Sequence, residues 1–363
     1  MMLLRDVTKV LEALAPLGYA ESWDNVGLLL GDPGQEVRRV LCTIDTTPAV
    51  AEEAAKLGCE LIVSYHPPWF APLKRLTAPH LLFEAARRGV AIYSPHTALD
   101  VASGGTNDVL CDALGVRDRQ PLRRAPVADA QHKLVFFVPE ADCQRVCDAL
   151  FDAGAGVIGD YTRCSFQNPG QGTFLGGDST QPTVGTRGKL ERASEIRVET
   201  VLPLSRLQAV VEALRQSHPY EEPAFDLVRL AAPPTNIGIG RIGRIPPTSL
   251  GTLAQRLKDA YGLSHALMAG QPTQAVETVA VCAGAGGELL ADALGQGADL
   301  FVTGELRHHD ALKANARGAA VLALLHSGSE RAALAPLRTR LLEAAPGLEV
   351  HLSAADRDPF VCV

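Results

Sequence analysis

Gly58-Cys59-Glu60-Leu61-Ile62-Val63-Ser64-Tyr65-His66-Pro67-Pro68 is the stretch from which the fold can be read. Leu61-Ile62-Val63 is a short apolar run, too brief for a helix and flanked by a turn glycine and by prolines. That pattern predicts a buried strand of a mostly parallel sheet, with a histidine just beyond its carboxyl end. Gly297-Ala298-Asp299-Leu300-Phe301-Val302 lines up with Gly58 to Val63 and also runs into a polar segment. Around the first stretch lie a strand at Val40–Ile44, an Ala/Glu-rich helix at Pro48–Leu57, a helix at Leu81–Arg88 and a strand at Val90–Tyr93. Around the second, the same order recurs at Val279–Cys282, Glu288–Leu294, Asp310–Ala316 and Val321–Leu324. Strands alternating with helices indicate α/β structure. The shared order predicts a degenerate duplication, two related α/β half-domains facing one another. Chance agreement of generic βαβ units is the competing explanation.

Between these halves the pattern changes. Lys133–Val138, Ala141–Ala153, Arg163–Leu175, Glu195–Val201, Ser205–Ser217 and Phe225–Leu230 read as strand, helix, strand, strand, helix, strand. That order predicts an inserted α+β ferredoxin-like domain. The expected division is a first core lobe at 1–127, the insert at 128–232 and a second core lobe at 233–363. Pro/Ala-rich connectors at Pro121–Ala130 and Ala231–Thr235 flank the insert, and Asn168–Gly188 reads as a flexible, Gly-rich hairpin.

With 363 residues, 47% hydrophobic and 21% charged, the chain has globular composition and room for two domains. Its 34 basic and 41 acidic residues give a net charge of −7, against the broad basic footprint of a nucleic-acid binder. No apolar run approaches the ~18 residues of a membrane span. The first residues, with Leu3, Leu4, Val7, Val10, Leu11 and Leu14 at helical spacing, do not read as a signal peptide. Eight scattered cysteines without a CxxC pair suit a reducing cytoplasm.

Four polar clusters follow four of the paired strands. They are Ser64-Tyr65-His66, Ser94-Pro95-His96 through Asp100, Thr303-Gly304-Glu305 through His308-His309, and His326-Ser327-Gly328-Ser329-Glu330. Ligands bind at the carboxyl ends of strands in open α/β sheets, so half of the chain's ten histidines gathered there mark a site. Each residue also has a plain alternative. His66 could be a hydrogen-bonded structural histidine, Asp100 a turn residue, and Ser329 a helix cap with Glu330 merely solvated. If a helix starts at His326, His326 and Glu330 share one face and can grip one ion. Imidazoles with carboxylates suit zinc, manganese, iron, cobalt or nickel better than calcium. His96 or His309 would then move a proton, or else orient the ligands.

Other motifs carry less. There is no P-loop, GxSxG elbow or HExxH. Gly238-Ile239-Gly240-Arg241-Ile242-Gly243 reads as a Gly-rich strand, since Pro246-Pro247 follows and no helix opens there. Gly284-Ala285-Gly286-Gly287 is either an anion cradle or, more simply, a tight turn. Trp23-Asp24-Asn25 is a polar turn. His218-Pro219-Tyr220-Glu221-Glu222-Pro223 offers a His and acids for an ion or small ligand, against the plainer reading of a rigid turn.

These residues resemble those of the Nif-three-like family, also called GTP cyclohydrolase I type 2 homologues. The likeness rests on Glu21 through Leu28, Ser64 through Pro68, Ser94 through Asp100, Thr303-Gly304-Glu305 with His308-His309, and His326 with Ser329-Glu330. The insert is similar to the PII/CutA-like insert of longer bacterial members. The resemblance implies a two-lobed α/β core, a homohexamer, and one or two divalent ions on His66, Asp100, His326 and Glu330. Tyr65 stands where many members carry a further histidine ligand, and a neutral phenol is a poor substitute. The function expected is that of a metal-dependent, cyclohydrolase-like hydrolase of a nucleotide or related small molecule, assisted by His96 or His309. The alternatives are a metal-containing binding or adaptor protein with a ligand- or partner-sensing insert, and a metal carrier.

Overall fold

The computed structural model describes residues 2–125, 131–231 and 236–361. The chain divides into two compact units, Met1–Ala125 with Thr235–Val363, and Pro126–Pro234. The expected boundaries at 127/128 and 232/233 lie outside the described residues. The fold is mixed α/β with several sheets.

In the larger unit the first sheet runs Glu349–Leu352, Arg39–Thr43, Leu61–Ser64, Ala91–Ser94, Gly27–Leu30; only the last joins antiparallel. The second runs Leu267–Ala269, Ala320–Ala323, Leu300–Thr303, Ala275–Cys282, Gly238–Ser249, Arg117–Arg124. Both therefore contain three parallel neighbours in chain order, as the duplicated pattern predicts. Local chemistry starts and stops the connecting helices. In Pro48–Leu57, Thr47 Oγ1 accepts from Val50 N at 3.3 Å, proline opens the first turn, and Gly58 closes the last at φ +65°.

The lobes expected at 1–127 and 233–363 do not follow the sheets. Arg117–Arg124 belongs to the second sheet, and Glu349–Leu352 completes the first. The cores cross over in the same way. Leu110 and Leu114 of helix Thr106–Leu114 pack with Leu253, Leu257 and Val281, whereas Leu334, Leu337 and Leu341 of helix Leu334–Ala344 pack with Leu4, Leu11 and Val40. Amphipathic helices settle wherever a complementary apolar surface is free, which chain order does not dictate. Pro121, expected in a connector, sits in an edge strand, where its missing N–H is tolerated. Gly238–Ser249 is a strand, as its glycines and prolines suggested.

The smaller unit has the expected β-α-β-β-α-β order. Its antiparallel sheet runs Phe225–Arg229, Gln131–Pro139, Leu190–Pro203, Ser165–Leu175, with helices Glu140–Asp152 and Leu207–Ser217 over a core including Phe136, Val146, Leu150 and Val198. The expected hairpin is present, Leu175 pairing with Leu190 across its long loop. No helix among the described residues is long and apolar enough to cross a membrane.

Candidate metal centre

Beyond strand Leu61–Ser64, Tyr65 N and His66 N still donate to Thr43 O and Ile44 O at 2.9 and 3.0 Å. The parallel ladder thus holds the His66 backbone in place. From the second half, Ala320–Ala323 leads through Leu325, a non-glycine residue at φ +65°, into the one-turn helix His326–Glu330. A strained backbone at a site entrance persists only where packing over-determines it. Ser329 provides part of that packing, donating to His326 O at 2.7 Å and accepting from Gly284 N at 2.8 Å. It is a strut between elements and not a helix cap.

His66, His326 and Glu330 are thereby brought together, with their ligand atoms all within 4.8 Å of one another. Glu330 is sealed at 3% exposure, His66 is 14% exposed, and His326 faces the open side at 36%. Glu330 Oε1 lies 3.3 Å from His326 Nε2, and Glu330 Oε2 lies 3.3 Å from His66 Nε2. That second pair lacks hydrogen-bond geometry, and both of its atoms are buried without another partner. Buried polar atoms seldom stay unsatisfied, so the pair fits a bound cation. Gly284, at φ +64°, makes room for it, since a Cβ there would meet Glu330 Oε1 at 2.6 Å. The Gly284-Ala285-Gly286-Gly287 segment is thus a tight turn against the Glu330 carboxylate, with Gly304 N and Glu305 N donating to Gly284 O at 3.0 Å.

The charges are mutually tuned. Burial opposes a proton on His66, but the Asp45 hydrogen bond and the Glu330 carboxylate outweigh it and raise the imidazole to about 10. Burial pushes Glu330 up, yet the two histidines hold it below the ordinary carboxylate range. Glu330 likewise raises His326, against burial.

Other expected residues fall around this group. Asp100 is not one of the three; its Oδ1 accepts from the fully buried Tyr65 hydroxyl, which also bonds Thr106 Oγ1 at 3.1 Å. Burial and the Glu330 charge raise Asp100 to about 6, while burial and the two carboxylates push the Tyr65 phenol well up. Tyr65 is a protonated donor in this setting. His96, at φ +26°, has its ring centroid 5.3 Å from that of His66, and its Nδ1 is 2.8 Å from Asp24 Oδ1. His309 is exposed on the first turn of helix His308–Ala316, its ring 5.4 Å from that of His308. From that same segment it is Glu305 that approaches the group, 3.2 Å from His326 Nδ1. Because the helix starts only at His308, Glu305 stays in the turn beside Gly284.

Several participants carried no signal of their own in the sequence. Asp45 accepts at 2.9 Å from His66 Nδ1, fixing Nε2 as the ligand atom. Asn107, fully buried, donates to Asp100 O and accepts from Ala283 N, both at 2.9 Å. Trp23 and Phe70, 62% and 52% exposed, have ring centroids 6.1 Å apart and lie 6.0 and 5.7 Å from His96. In the Trp23-Asp24-Asn25 turn, Asn25 donates to Trp69 O at 2.9 Å.

The family model described as Duf34/NIF3 (NGG1p interacting factor 3) matches residues 2–359. Similar proteins include a "GTP cyclohydrolase 1 type 2 homolog" of Halalkalibacterium halodurans, 38% identical over 84% of this chain and 82% of that protein. One of the same name from Bacillus subtilis is 34% identical over 98% and 97%. Among solved structures, a Bacillus cereus protein related to NIF3 has 33% identity and TM-score 0.67, covering 100% of this chain and 99% of that one. A Staphylococcus aureus protein has 26% identity and TM-score 0.75 over the same shares.

Proposed function

Since the chain belongs to the Duf34/NIF3 family, we propose that it is a metal-dependent hydrolase holding one divalent ion and acting on a nucleotide or related small molecule. The observation that carries this reading is the buried pair His66 Nε2 and Glu330 Oε2, 3.3 Å apart and without a hydrogen bond, beside His326. Two imidazoles and one carboxylate suit zinc, manganese, iron, cobalt or nickel. Three protein ligands favour a catalytic role, because structural zinc sites close with four. Such an ion, when bound, supplies Lewis acidity toward a carbonyl or phosphoryl oxygen.

The chain's own groups do the rest. Asp45 orients His66, and Glu305 lies beside His326 to do the same. His96, held through Nδ1 by Asp24, keeps Nε2 free to take or give a proton. Trp23 and Phe70 at His96 suit stacking of a planar heterocycle, in keeping with the cyclohydrolase name of the relatives. Tyr65, protonated and spent on Asp100, favours one ion over two. His309, exposed on the first turn of helix His308–Ala316, has no part in this reaction. A homohexamer and a cytoplasmic setting belong to the proposal as family expectations, and light scattering of the purified protein tests the first. We read the insert as ferredoxin-like from its element order. The alternative, a binding or adaptor protein, draws on the family description, which names an interacting factor.

The test is elemental analysis of untagged protein alongside His326→Ala and Glu330→Ala, followed by a nucleotide and phosphoester turnover screen. Metal near one ion per chain, lost from both folded variants together with turnover, is expected. No metal above background after reconstitution would end the hydrolase reading and leave the adaptor.

A further inference from the structure

Two segments of the smaller unit that serve no part of this reaction close on one another. The long hairpin loop lies against the His218-Pro219-Tyr220-Glu221-Glu222-Pro223 turn, with Gln181 N donating to Glu221 Oε1 at 3.0 Å and Thr183 Oγ1 to Pro219 O at 2.8 Å. The turn is itself braced. His218 Nδ1 accepts from Tyr220 N at 3.1 Å, leaving Nε2 to donate to Phe137 O at 2.9 Å. Burial holds this imidazole below its ordinary value, in keeping with the neutral ring that pattern requires.

Between the segments lies a cavity of about 430 Å³, within the range of small-molecule sites. Phe137, Phe174, Pro182 and Val184 give it apolar and aromatic walls, the Phe137 ring already carrying the Arg197 guanidinium 5.7 Å from its centroid. Its charged lining is Glu195, Glu221 and Glu222, with no lysine or arginine. None of the three makes an ion pair among the described residues. Gly172 admits Glu195, whose Oε2 would lie 2.1 Å from a Cβ there. The Tyr220 hydroxyl, also in the lining, is buried without a hydrogen-bond partner.

We propose that this cavity binds a small organic cation, an ammonium or guanidinium group on an apolar or aromatic body. Three carboxylates repel an anion, and a neutral apolar guest would gain nothing from their charge or from the Tyr220 hydroxyl. A metal ion needs its ligand atoms drawn to one point, and the glutamates are not so gathered: among the described residues the one such group is His66, His326 and Glu330. Aromatic rings beside carboxylates are the usual receptor for an organic cation.

Isothermal titration of the full chain with benzylammonium and benzylguanidinium tests this, with benzyl alcohol and benzoate as the neutral and anionic counterparts. The expected result is saturable binding of one cation per chain, about tenfold tighter than the alcohol, and none of benzoate. Glu222→Gln weakens it about fivefold. Val184→Trp, which fills the cavity, abolishes it while circular dichroism and metal content stay as in the parent. His326→Ala leaves it unchanged, which separates this site from the metal centre. Failure of both cations to saturate at millimolar concentration overturns the proposal. So does equal binding of the alcohol, or undiminished binding in Val184→Trp.

Discussion

Replacing Gly284 by alanine tests whether the Glu330 carboxylate is a metal ligand held to tolerance. The new Cβ would lie 2.6 Å from Glu330 Oε1, and ordinary contact begins at 3.4 Å, so the carboxylate must retreat by about 0.8 Å. His326 Nε2, 3.5 Å from that Cβ, blocks one direction of retreat. Alanine at φ +64° also carries backbone strain of roughly 1 kcal/mol. Gly262 separates the two effects, since it has the same φ of +64° and nothing within 4 Å of its would-be Cβ. Gly262→Ala should therefore lower the melting temperature by ~2–4 °C and leave metal affinity alone. Gly284→Ala should add a ~10–100-fold loss of affinity to a similar drop, as for a displaced or badly oriented ligand. Competition for zinc with a chelating indicator reads the affinity, and differential scanning calorimetry of metal-free protein reads the strain. Parental affinity in a folded Gly284→Ala would refute the assignment of Glu330, because no three-ligand site survives a shift of that size unchanged.

Tyr65→His should raise metal content from about one to about two ions per chain on elemental analysis, by freeing Asp100 and adding an imidazole; a content still near one would break the link between Tyr65 and ion number. Asp24, with 0% side-chain exposure, holds His96 Nδ1 and, at 3.2 Å, Thr97 N. Asp24→Asn should thus lower stability by ~1–3 kcal/mol and reduce any turnover while metal stays bound; a metal-depleted folded variant would contradict that placement. His66 in the metal-free protein has its pKa raised above the unfolded value of 6.5, to about 10. Its contribution to stability is fully present below pH ~6.5 and fades as pH rises through about 10, and Asp45→Asn should flatten that decline in thermal melts. Zinc must displace the same proton, so calorimetry in two buffers at pH 7.5 should show about one proton released, and none released would be the contrary result.

The backbone elements were legible because their signals are local. Strand Leu61–Ser64 and helix Pro48–Leu57 depend on spacing and end chemistry within a few residues. The recurring polar segments after equivalent strands marked one end of each sheet, and three of the four expected ligands do meet there. Asp100 and His309 lie in the same polar segments, but position after a strand does not say which way a helix turns its side chains. Asp100 answers to Tyr65, and His309 opens a helix at the surface.

What lay beyond the sequence is long-range. Asp45 is 21 residues from His66, Asp24 is 72 from His96, and Asn107 is 176 from Ala283. No periodicity spans such distances. The crossing of Arg117–Arg124 and Glu349–Leu352 between the sheets, and the cavity where the hairpin loop meets the His218–Pro223 turn, belong to the same class. The sequence by itself determined the strands, the helices, their duplicated order and the residue types able to hold a metal, because propensity, capping and hydrophobic period act over one or two turns. Which of those residues share a point in space, which proton each holds, and what lies beside them were decided by tertiary packing alone, since burial and the charges that tune His66, Asp100 and Glu330 exist only once distant segments have met.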